Sequence, residues 1–465
     1  MFVQQLYTNC LAEAAYYIES NGEAAIIDPI REIDSYISLA ASRGAKIKYV
    51  FETHFHADFV SGHIDLARAT NATIIFGPLA ETAYDVHHAK DGEEFRVGHL
   101  TIRALHTPGH TPESTCYLLL DNSFQEYCIF TGDTLFVGDV GRPDLLDGKM
   151  SSEELASMLY DSLNNKIKNL PDEVLVYPAH GPGSACGKNI GKETWSTIGH
   201  QKKLNYALRD MSRKEFIETV TIGLVPPPAY FFDDARINKQ GYEDINLVIK
   251  KNNTSLSAEE FRAAINSGAA ILDTRSADDF EKGFIPGSIN IGLNGMFDIW
   301  VGTVLEIGKK LVLVCDKGKE EESVIRLARV GFENVSGVLN NGVESWKNAG
   351  FSIEKISSVE PNEFARCVSS GGAVIDVRKQ SETEAGHVKN ALNIPLADLE
   401  KNISLIPKNE PVYIHCAGGY RSMIASSLLQ SRGYKNIINV HGGWNSIKEA
   451  GVQVNTGIPY NTLAS

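Results

Sequence analysis

The chain of 465 residues carries a formal net charge of −14 and an apolar fraction of 43%. That is the make-up of a soluble globular protein too long for one ordinary core, and its length calls for about three domains. The acidity excludes nucleic acid or an anionic membrane surface as a general partner, so an anionic substrate has to meet a locally positive site. No apolar run reaches membrane-spanning length, and seven scattered cysteines read as reduced thiols in a cytoplasmic protein.

The N-terminus, Met1-Phe2-Val3-Gln4-Gln5-Leu6, reads as a first strand with neither a basic segment nor a cleavage site. From there to about residue 205, short β-rich runs (24–28, 49–51, 72–76) alternate with helical patterns such as 33–42. Polar residues collect just after strands, at 54–63, 107–111 and 131–133, which predicts a site at strand ends, where α/β active sites gather. A helical stretch from Gln201 leads into Pro226-Pro227-Pro228, a stiff extended connector within 206–250.

An internal repeat follows. Ile271-Leu272-Asp273-Thr274-Arg275 recurs as Val374-Ile375-Asp376-Val377-Arg378, and the segment from Gly283 to Asn290 recurs from Gly386 to Asn393, 103 residues on in both cases. Leu313-Val314-Cys315 recurs as Ile414-His415-Cys416, and Gly342 to Gly350 as Gly443 to Gly451, 101 residues on. Blocks that keep their order with so small a change of offset predict two copies of one α/β domain, at 251–355 and 356–465.

In the first domain the chemistry-bearing residues are His54, His56 and Asp58, then His110 in Thr107-Pro108-Gly109-His110, Asp133 in Thr131-Gly132-Asp133, and His180 in Pro178-Ala179-His180-Gly181. A single buried histidine is usually bonded to backbone and never meets a metal. An ordered set of imidazoles and carboxylates at neighbouring strand ends is a compact ligand set. These residues resemble the metallo-β-lactamase superfamily, whose hydrolases read HxHxDH; here Phe59 stands at the last position. A benzyl ring ligates nothing, so one metal is expected rather than two. His180 and Asp58 belong with the second site that Phe59 disables.

Within the superfamily the residues look most like the persulfide dioxygenases. The resemblance implies a single Fe(II) held by His54, His110 and Asp133, with His56 and Asp58 beside it rather than bound to it. Zinc can stand in for the iron in purified protein. Two imidazoles and a carboxylate on one face of iron leave about three positions open for a persulfide sulfur and dioxygen, whereas zinc could activate water but pass no electrons to oxygen. Arg142, in Gly138-Asp139-Val140-Gly141-Arg142-Pro143-Asp144, resembles the family's Gly-Arg segment. It has two readings: a contact to an anionic substrate, or an ion pair with Asp144 or Asp139. Cys186, on a glycine-rich loop after His180, either faces the pocket and assists in handling persulfide or is inert. His63 reads as structural.

The second repeat contains Cys416-Ala417-Gly418-Gly419-Tyr420-Arg421 between a strand and a helix. Backbone N–H groups of Gly418, Gly419 and Tyr420 would cradle the thiol at a helix N-terminus, favouring first a thiolate and then a persulfide anion. Arg421 would close the cradle with a charge suited to thiosulfate or sulfite. This resembles the rhodanese family closely. Cysteine phosphatases of related architecture wrap phosphate with a longer Cys-to-Arg loop; here only four residues, Ala417 to Tyr420, intervene. The first repeat keeps Cys315 but has Glu320 at the arginine position, followed by Glu321 and Glu322, and Phe284 replaces the counterpart of His387. Those carboxylates would raise the thiol pKa and repel anionic donors, so this copy reads as degenerate.

The expected architecture is α/β multidomain: a metallo-β-lactamase αββα sandwich over 1–205, then two rhodanese-like domains with central parallel sheets. The resemblance implies oxidation of a low-molecular-weight thiol persulfide by O2 to thiol and sulfite, with Cys416 exchanging sulfur between sulfite and thiosulfate, in a homo-oligomer. Two other functions are weighed against it. A zinc thiolester hydrolase of the glyoxalase II type would build the second site that Phe59 removes. A sulfur-carrier scaffold would hold an inert metal domain and dock partner proteins through its rhodanese copies. Replacing Cys315 by serine is expected to leave thiosulfate–cyanide sulfur transfer intact, and Cys416→Ser to abolish it; equal losses in the two variants would refute the asymmetry of the copies.

Overall fold

The computed structural model describes residues 1–145 and 150–459. The chain divides into two compact units, residues 1–248 with 325–332, and residues 249–324 with 333–465. The last residues of the domain expected at 356–465, from 460 on, lie outside the described residues.

The first unit is built on two six-stranded sheets. In one, β1 (Phe2–Thr8), β2 (Glu13–Ser20), β3 (Glu23–Ile27), β4 (Lys46–Phe51), β5 (Thr73–Phe76) and β6 (His87–His88) lie side by side in chain order. They are antiparallel up to β3 and parallel beyond it. The other holds β7 (Glu94–Val97), β8 (Leu100–His106), β9 (Thr115–Leu120), β10 (Glu126–Gly132), β11 (Leu175–Pro178) and β12 (Ser196–Thr197), again in chain order. Only its β10–β11 pair is parallel.

The inner faces meet through Tyr16, Phe51, Ile75, Ile102, Tyr117 and Phe130. The outer face of the second sheet, with Leu118, Ile129 and Val176, is covered by Leu159 of the helix Ser152–Ser162 and by Phe216 and Val220 of the helix Arg213–Thr221. Helices Asp34–Ser42 and His63–Thr70 lie on β4 in the first sheet. Strands covered on both faces read as unbroken apolar runs, and all six residues of β9 are buried. The arrangement is the expected helix–sheet–sheet–helix sandwich.

Residues 206–248, expected as a connector, form part of this unit. Phe216 and Val220 stand four apart on one helical face, and that spacing carries them into the core. The prolines only mark where the helix Tyr230–Gln240 begins.

In the second unit the repeat becomes two five-stranded parallel sheets with one topology. The first copy is ordered β13 (Ser255–Leu256), β17 (Val335–Leu339), β16 (Leu311–Val314), β14 (Ala270–Asp273), β15 (Ile289–Asn290). The second is ordered β18 (Ser357–Val359), β23 (Ile437–Val440), β22 (Val412–His415), β19 (Ala373–Asp376), β21 (Leu392–Asn393), and β20 (His387–Val388) pairs with β24 (Val454–Asn455) beside it. Register repeats too: Asp273 faces Asn290 as Asp376 faces Asn393. Arg275 grips Asp273 at 2.6 Å and the Gly283 carbonyl at 3.0 Å, and Arg378 grips Asp376 at 2.6 Å and the Gly386 carbonyl at 2.8 Å. The shared Asp-x-Arg motif is thus a structural clamp that holds the next loop to the sheet. Among the described residues no helix is long and apolar enough to cross a membrane.

Candidate functional site

Four strand ends of the first unit supply its polar cluster. His54, His56 and Asp58 follow β4, His110 follows β8, Asp133 follows β10 and His180 follows β11. Two glycines permit the crowding. At Gly132, with φ of 51°, a Cβ would stand 2.5 Å from Thr53 Oγ1; at Gly141 it would stand 2.1 Å from the Asp133 carbonyl oxygen.

His54, His110 and Asp133 offer ligand atoms within 4.8 Å of one another. Asp133 Oδ2 lies 3.8 Å from His54 Nε2 and 3.4 Å from His110 Nε2. All three of these atoms are buried and none makes a hydrogen bond. The far side of each ring is tied. Thr53 donates its hydroxyl to Asp28 Oδ2 at 2.8 Å, so its oxygen accepts from His54 Nδ1 at 2.9 Å. His110 Nδ1 donates to the Arg142 carbonyl at 2.9 Å. Both protons therefore sit on Nδ1, and both Nε2 lone pairs face the gap. Burial is the main force holding both imidazoles below their usual pKa, and hence neutral. Burial works against the Asp133 anion, but His180, His54 and His110 together hold that carboxyl well below the usual range. Two neutral imidazole nitrogens and one carboxylate oxygen, orphaned and convergent, fit a divalent transition metal.

The other expected residues surround this trio. His56 turns to Asp28 and Glu52, with Nε2 3.2 Å and 3.7 Å from their oxygens, and lies against the Phe59 ring at 4.3 Å. His180 bridges two carboxylates, Nδ1 to Asp133 Oδ1 at 2.7 Å and Nε2 to Asp58 Oδ2 at 2.9 Å. Burial would lower its pKa, but those anions outweigh burial and raise it well above the usual value. His56, Asp58 and His180 also stand within 4.8 Å of one another; His180 Nδ1 is bonded to Asp133, but His180 Nε2, both His56 nitrogens and Asp58 Oδ1 are buried without a hydrogen bond. Cys186 is buried beside Asp133 and His180, its thiol pushed well up by burial first and then by Asp58 and Asp133. His63 is fixed by Tyr84 at 2.6 Å, away from the trio.

Arg142 does not offer its charge to the gap. Its guanidinium holds Asp144 through two bonds of 2.6 and 2.8 Å and also the carbonyls of Ala185 and Val225. Of its two readings, the ion pair with Asp144, two residues away in sequence, is the one formed. Its backbone carbonyl, by orienting His110, is what reaches the site.

In the second copy of the repeat, Cys416 follows β22 and its Sγ accepts the Gly419 N–H at 3.1 Å. Gly419 has a φ of 108°, open to glycine but rarely to other residues. Arg421 makes a bidentate pair with Glu382 at 2.6 and 2.8 Å. The Tyr420 side chain leaves the cradle altogether and donates to the Gly292 carbonyl in the first copy at 2.7 Å, so only its backbone remains available to a substrate. In the first copy, burial pushes the Cys315 thiol up to about 11, with Asp273 and Glu320 adding to the rise.

Family models match the chain in the same places. The metallo-beta-lactamase superfamily model covers residues 8–180, and the rhodanese-like domain model covers 257–349 and 360–450. The human mitochondrial persulfide dioxygenase ETHE1 is 31% identical over 209 residues, 44% of this chain and 74% of that protein. The probable hydroxyacylglutathione hydrolase glo2 of Schizosaccharomyces pombe is 34% identical over 161 residues, 34% of this chain and 58% of that protein. Among solved structures, a metallo-beta-lactamase from Staphylococcus aureus subsp. aureus COL superposes with a TM-score of 0.64 at 33% identity, covering 73% of this chain and 98% of that one.

Sequence reasoning missed the groups that hold the ligand loop. Thr53 and Asp28 carry no motif, though Asp28 directly follows β3 in the left-handed region with φ of 50°. Asn238, on the helix Tyr230–Gln240 within the supposed connector, is fully buried. Its Nδ2 donates to the carbonyls of His56 and Phe59, both at 2.8 Å, and its Oδ1 accepts the Ser61 N–H at 2.9 Å. One side chain thus fixes both ends of the segment from His56 to Ser61. Asn238→Ala leaves those three backbone groups unpaired, at a cost of about 1–3 kcal/mol for each such group, and should weaken metal binding roughly 10- to 100-fold. Cobalt(II) titration of the folded variant, followed by its d–d spectrum, checks this; wild-type affinity in a destabilised protein would show that Asn238 supports the fold alone.

Proposed function

Because this chain belongs to the persulfide dioxygenase family of the metallo-β-lactamase superfamily and carries two rhodanese-like domains behind it, we propose that it is an iron enzyme that oxidises a low-molecular-weight thiol persulfide and passes sulfur through Cys416. The observation that carries the reading is the set of three buried, unpartnered atoms, His54 Nε2, His110 Nε2 and Asp133 Oδ2. In balanced form, RSSH + O2 + H2O gives RSH + SO3²⁻ + 2H⁺: the terminal sulfur gives up four electrons and dioxygen takes them.

One Fe(II) held by His54, His110 and Asp133 would supply the redox chemistry and open positions for persulfide and dioxygen. The chain's own groups do the rest. Thr53 and the Arg142 carbonyl keep the Nδ1 protons in place, so both imidazoles present lone pairs. His180 steadies the second oxygen of Asp133. Phe59 and Phe136 place apolar rings beside His180, limiting the water that could compete for the site. Cys186 presents a neutral thiol to the same space.

At the second site the Gly419 N–H, directed at Cys416 Sγ, steadies negative charge on sulfur. The transfer step is Cys416-S-S⁻ + SO3²⁻ giving Cys416-S⁻ + S2O3²⁻, in which sulfite takes the sulfane sulfur and the thiolate leaves; run in reverse, it regenerates persulfide. Joining both sites in one chain raises the local concentration of the shared sulfite.

Thiolester hydrolysis is the second reading, favoured by the likeness to hydroxyacylglutathione hydrolases and by the grouping of His56, Asp58 and His180. The ring of Phe59, which can ligate nothing, weighs against it. Anaerobically purified protein should take up oxygen on addition of glutathione persulfide in proportion to bound iron, releasing sulfite and thiosulfate. His110→Ala should abolish uptake while thiosulfate–cyanide transfer continues. Two equivalents of zinc with thiolester turnover and no oxygen uptake would instead establish the hydrolase.

A further inference from the structure

The loop carrying Cys416 is held by the rhodanese copy that has lost its own chemistry. Tyr420, four residues after Cys416, donates its hydroxyl to the Gly292 carbonyl at 2.7 Å. Its ring lies so close over Gly295 that a Cβ there would stand 2.4 Å from two ring carbons, against about 3.5–4.0 Å for an ordinary carbon contact. The socket is rigid. Leu293 N donates to the Thr274 carbonyl at 3.0 Å, and Asn290 Nδ2 ties the Asp273 and Arg275 carbonyls at 3.0 and 2.9 Å.

The contact continues along the helix Tyr420–Ser431. Asn290 N donates to Ser427 Oγ at 2.9 Å, and Met423 is buried with Phe280 and Phe284. Residues 422–429 of that helix are all buried, eight in succession. Arg421, the next residue after Tyr420, is meanwhile held by Glu382 of its own copy. The end of the cradle is therefore gripped on both sides, Tyr420 by one copy and Arg421 by the other.

We infer that the first rhodanese copy positions the catalytic loop of the second, its Gly292–Gly295 socket holding Tyr420 out of the cradle and so keeping the Gly419 N–H on Cys416 Sγ. The Tyr420 side chain and Gly295 act by positioning; the phenol ring, bonded to Gly292, points away from the transferred sulfur. This also accounts for a cysteine-bearing copy whose thiol is neutral: its retained worth lies in the loop after β15, which serves Cys416. The inference rests on Cys416 being the sulfur carrier.

The test is steady-state thiosulfate–cyanide sulfur transfer by the full chain. Gly295→Ala must displace the Tyr420 ring by more than an ångström, a misplacement that costs on the order of 10- to 100-fold in kcat. The KM for thiosulfate should stay within about two-fold, because Arg421 keeps its partner, whereas a protein merely losing its fold would lower active concentration in every assay. Oxygen uptake with glutathione persulfide should be unchanged. In a Tyr420→Ala background, Gly295→Ala should cost nothing further, which is the signature of direct coupling. Wild-type kcat in Gly295→Ala, or the same loss in both backgrounds, overturns the inference. Should Gly295→Ala not accumulate in folded form, Tyr420→Phe decides, since it removes only the bond to Gly292: a fall in kcat of about two- to ten-fold, the worth of one such bond, supports the inference, and no fall overturns it. If the wild-type chain transfers no sulfur at all, it is the reading of Cys416 that fails, not the socket alone.

Discussion

Three desolvated atoms with nothing to bond set the terms for the first unit. His54 Nε2, His110 Nε2 and Asp133 Oδ2 have been taken out of water and given no hydrogen-bond partner, at a cost on the order of 1–3 kcal/mol each and more where charge is involved. A fold can hold such a gap open only if every other direction of relaxation is closed. Thr53 and Arg142 close the rotation of the two imidazoles, and His180 closes that of the carboxylate. Asn238 closes the loop, and Gly132 and Gly141 let backbone approach where any side chain would push the cluster apart. The sandwich core behind them, from Tyr16 to Phe130, supplies the apolar burial that offsets the penalty, at about 1.5–3 kcal/mol for each large side chain fully removed from water.

The two rhodanese copies separate what a fold needs from what its chemistry needs. Both keep the Asp-x-Arg clamp, the asparagine that ties the same two carbonyls, and one strand order. These are backbone-supporting contacts, and losing them would cost stability in either copy. Their chemical settings diverge in the loop after the central strand. One turns through Gly419 onto a sulfur and places an arginine at the helix start; the other places Glu320 there and buries a neutral thiol. Scaffolds of one strand order thus give different electrostatic settings, decided by a handful of residues.

That separation explains which features were legible in the sequence. The repeat, the domain order and the polar clusters at strand ends are periodic or local, and the fold follows them. Cys416 and Arg421 lie on one short loop, and the histidines and aspartates lie on short motifs, so residue type and spacing were enough to bring them forward as candidates. Asn238 could not be found that way. It stands 179 residues beyond Phe59 in the chain, in a stretch whose prolines read as a connector, and only folding brings its amide to the ligand loop. Arg142 was visible but ambiguous, because a guanidinium two residues from an aspartate serves equally well as a clamp or as an anion site until the partner is seen. Tyr420 failed differently: its neighbours marked it as part of a substrate cradle, but a tyrosine's reach is long, and the glycines that receive its ring lie in the other copy.

The same reasoning sharpens the role of Phe59. Replacing a potential ligand with a benzyl ring removes one donor, which by itself would leave His56, Asp58 and His180 still grouped within 4.8 Å. The members of that group differ in how they are held, and His56 Nδ1 and Nε2, Asp58 Oδ1 and His180 Nε2 have no hydrogen-bond partner. His56 lies against the Phe59 ring with its Nε2 3.2 Å from Asp28, while His180 bonds Asp133 through Nδ1 and sets Nε2 2.9 Å from Asp58. A cation taken by His180 Nε2 would displace only the contact with Asp58 and leave the Nδ1 bond that steadies the Asp133 oxygen opposite the one facing the gap. The apolar ring thus withholds one ligand from that group, while His180 links the group to Asp133 through its Nδ1 bond.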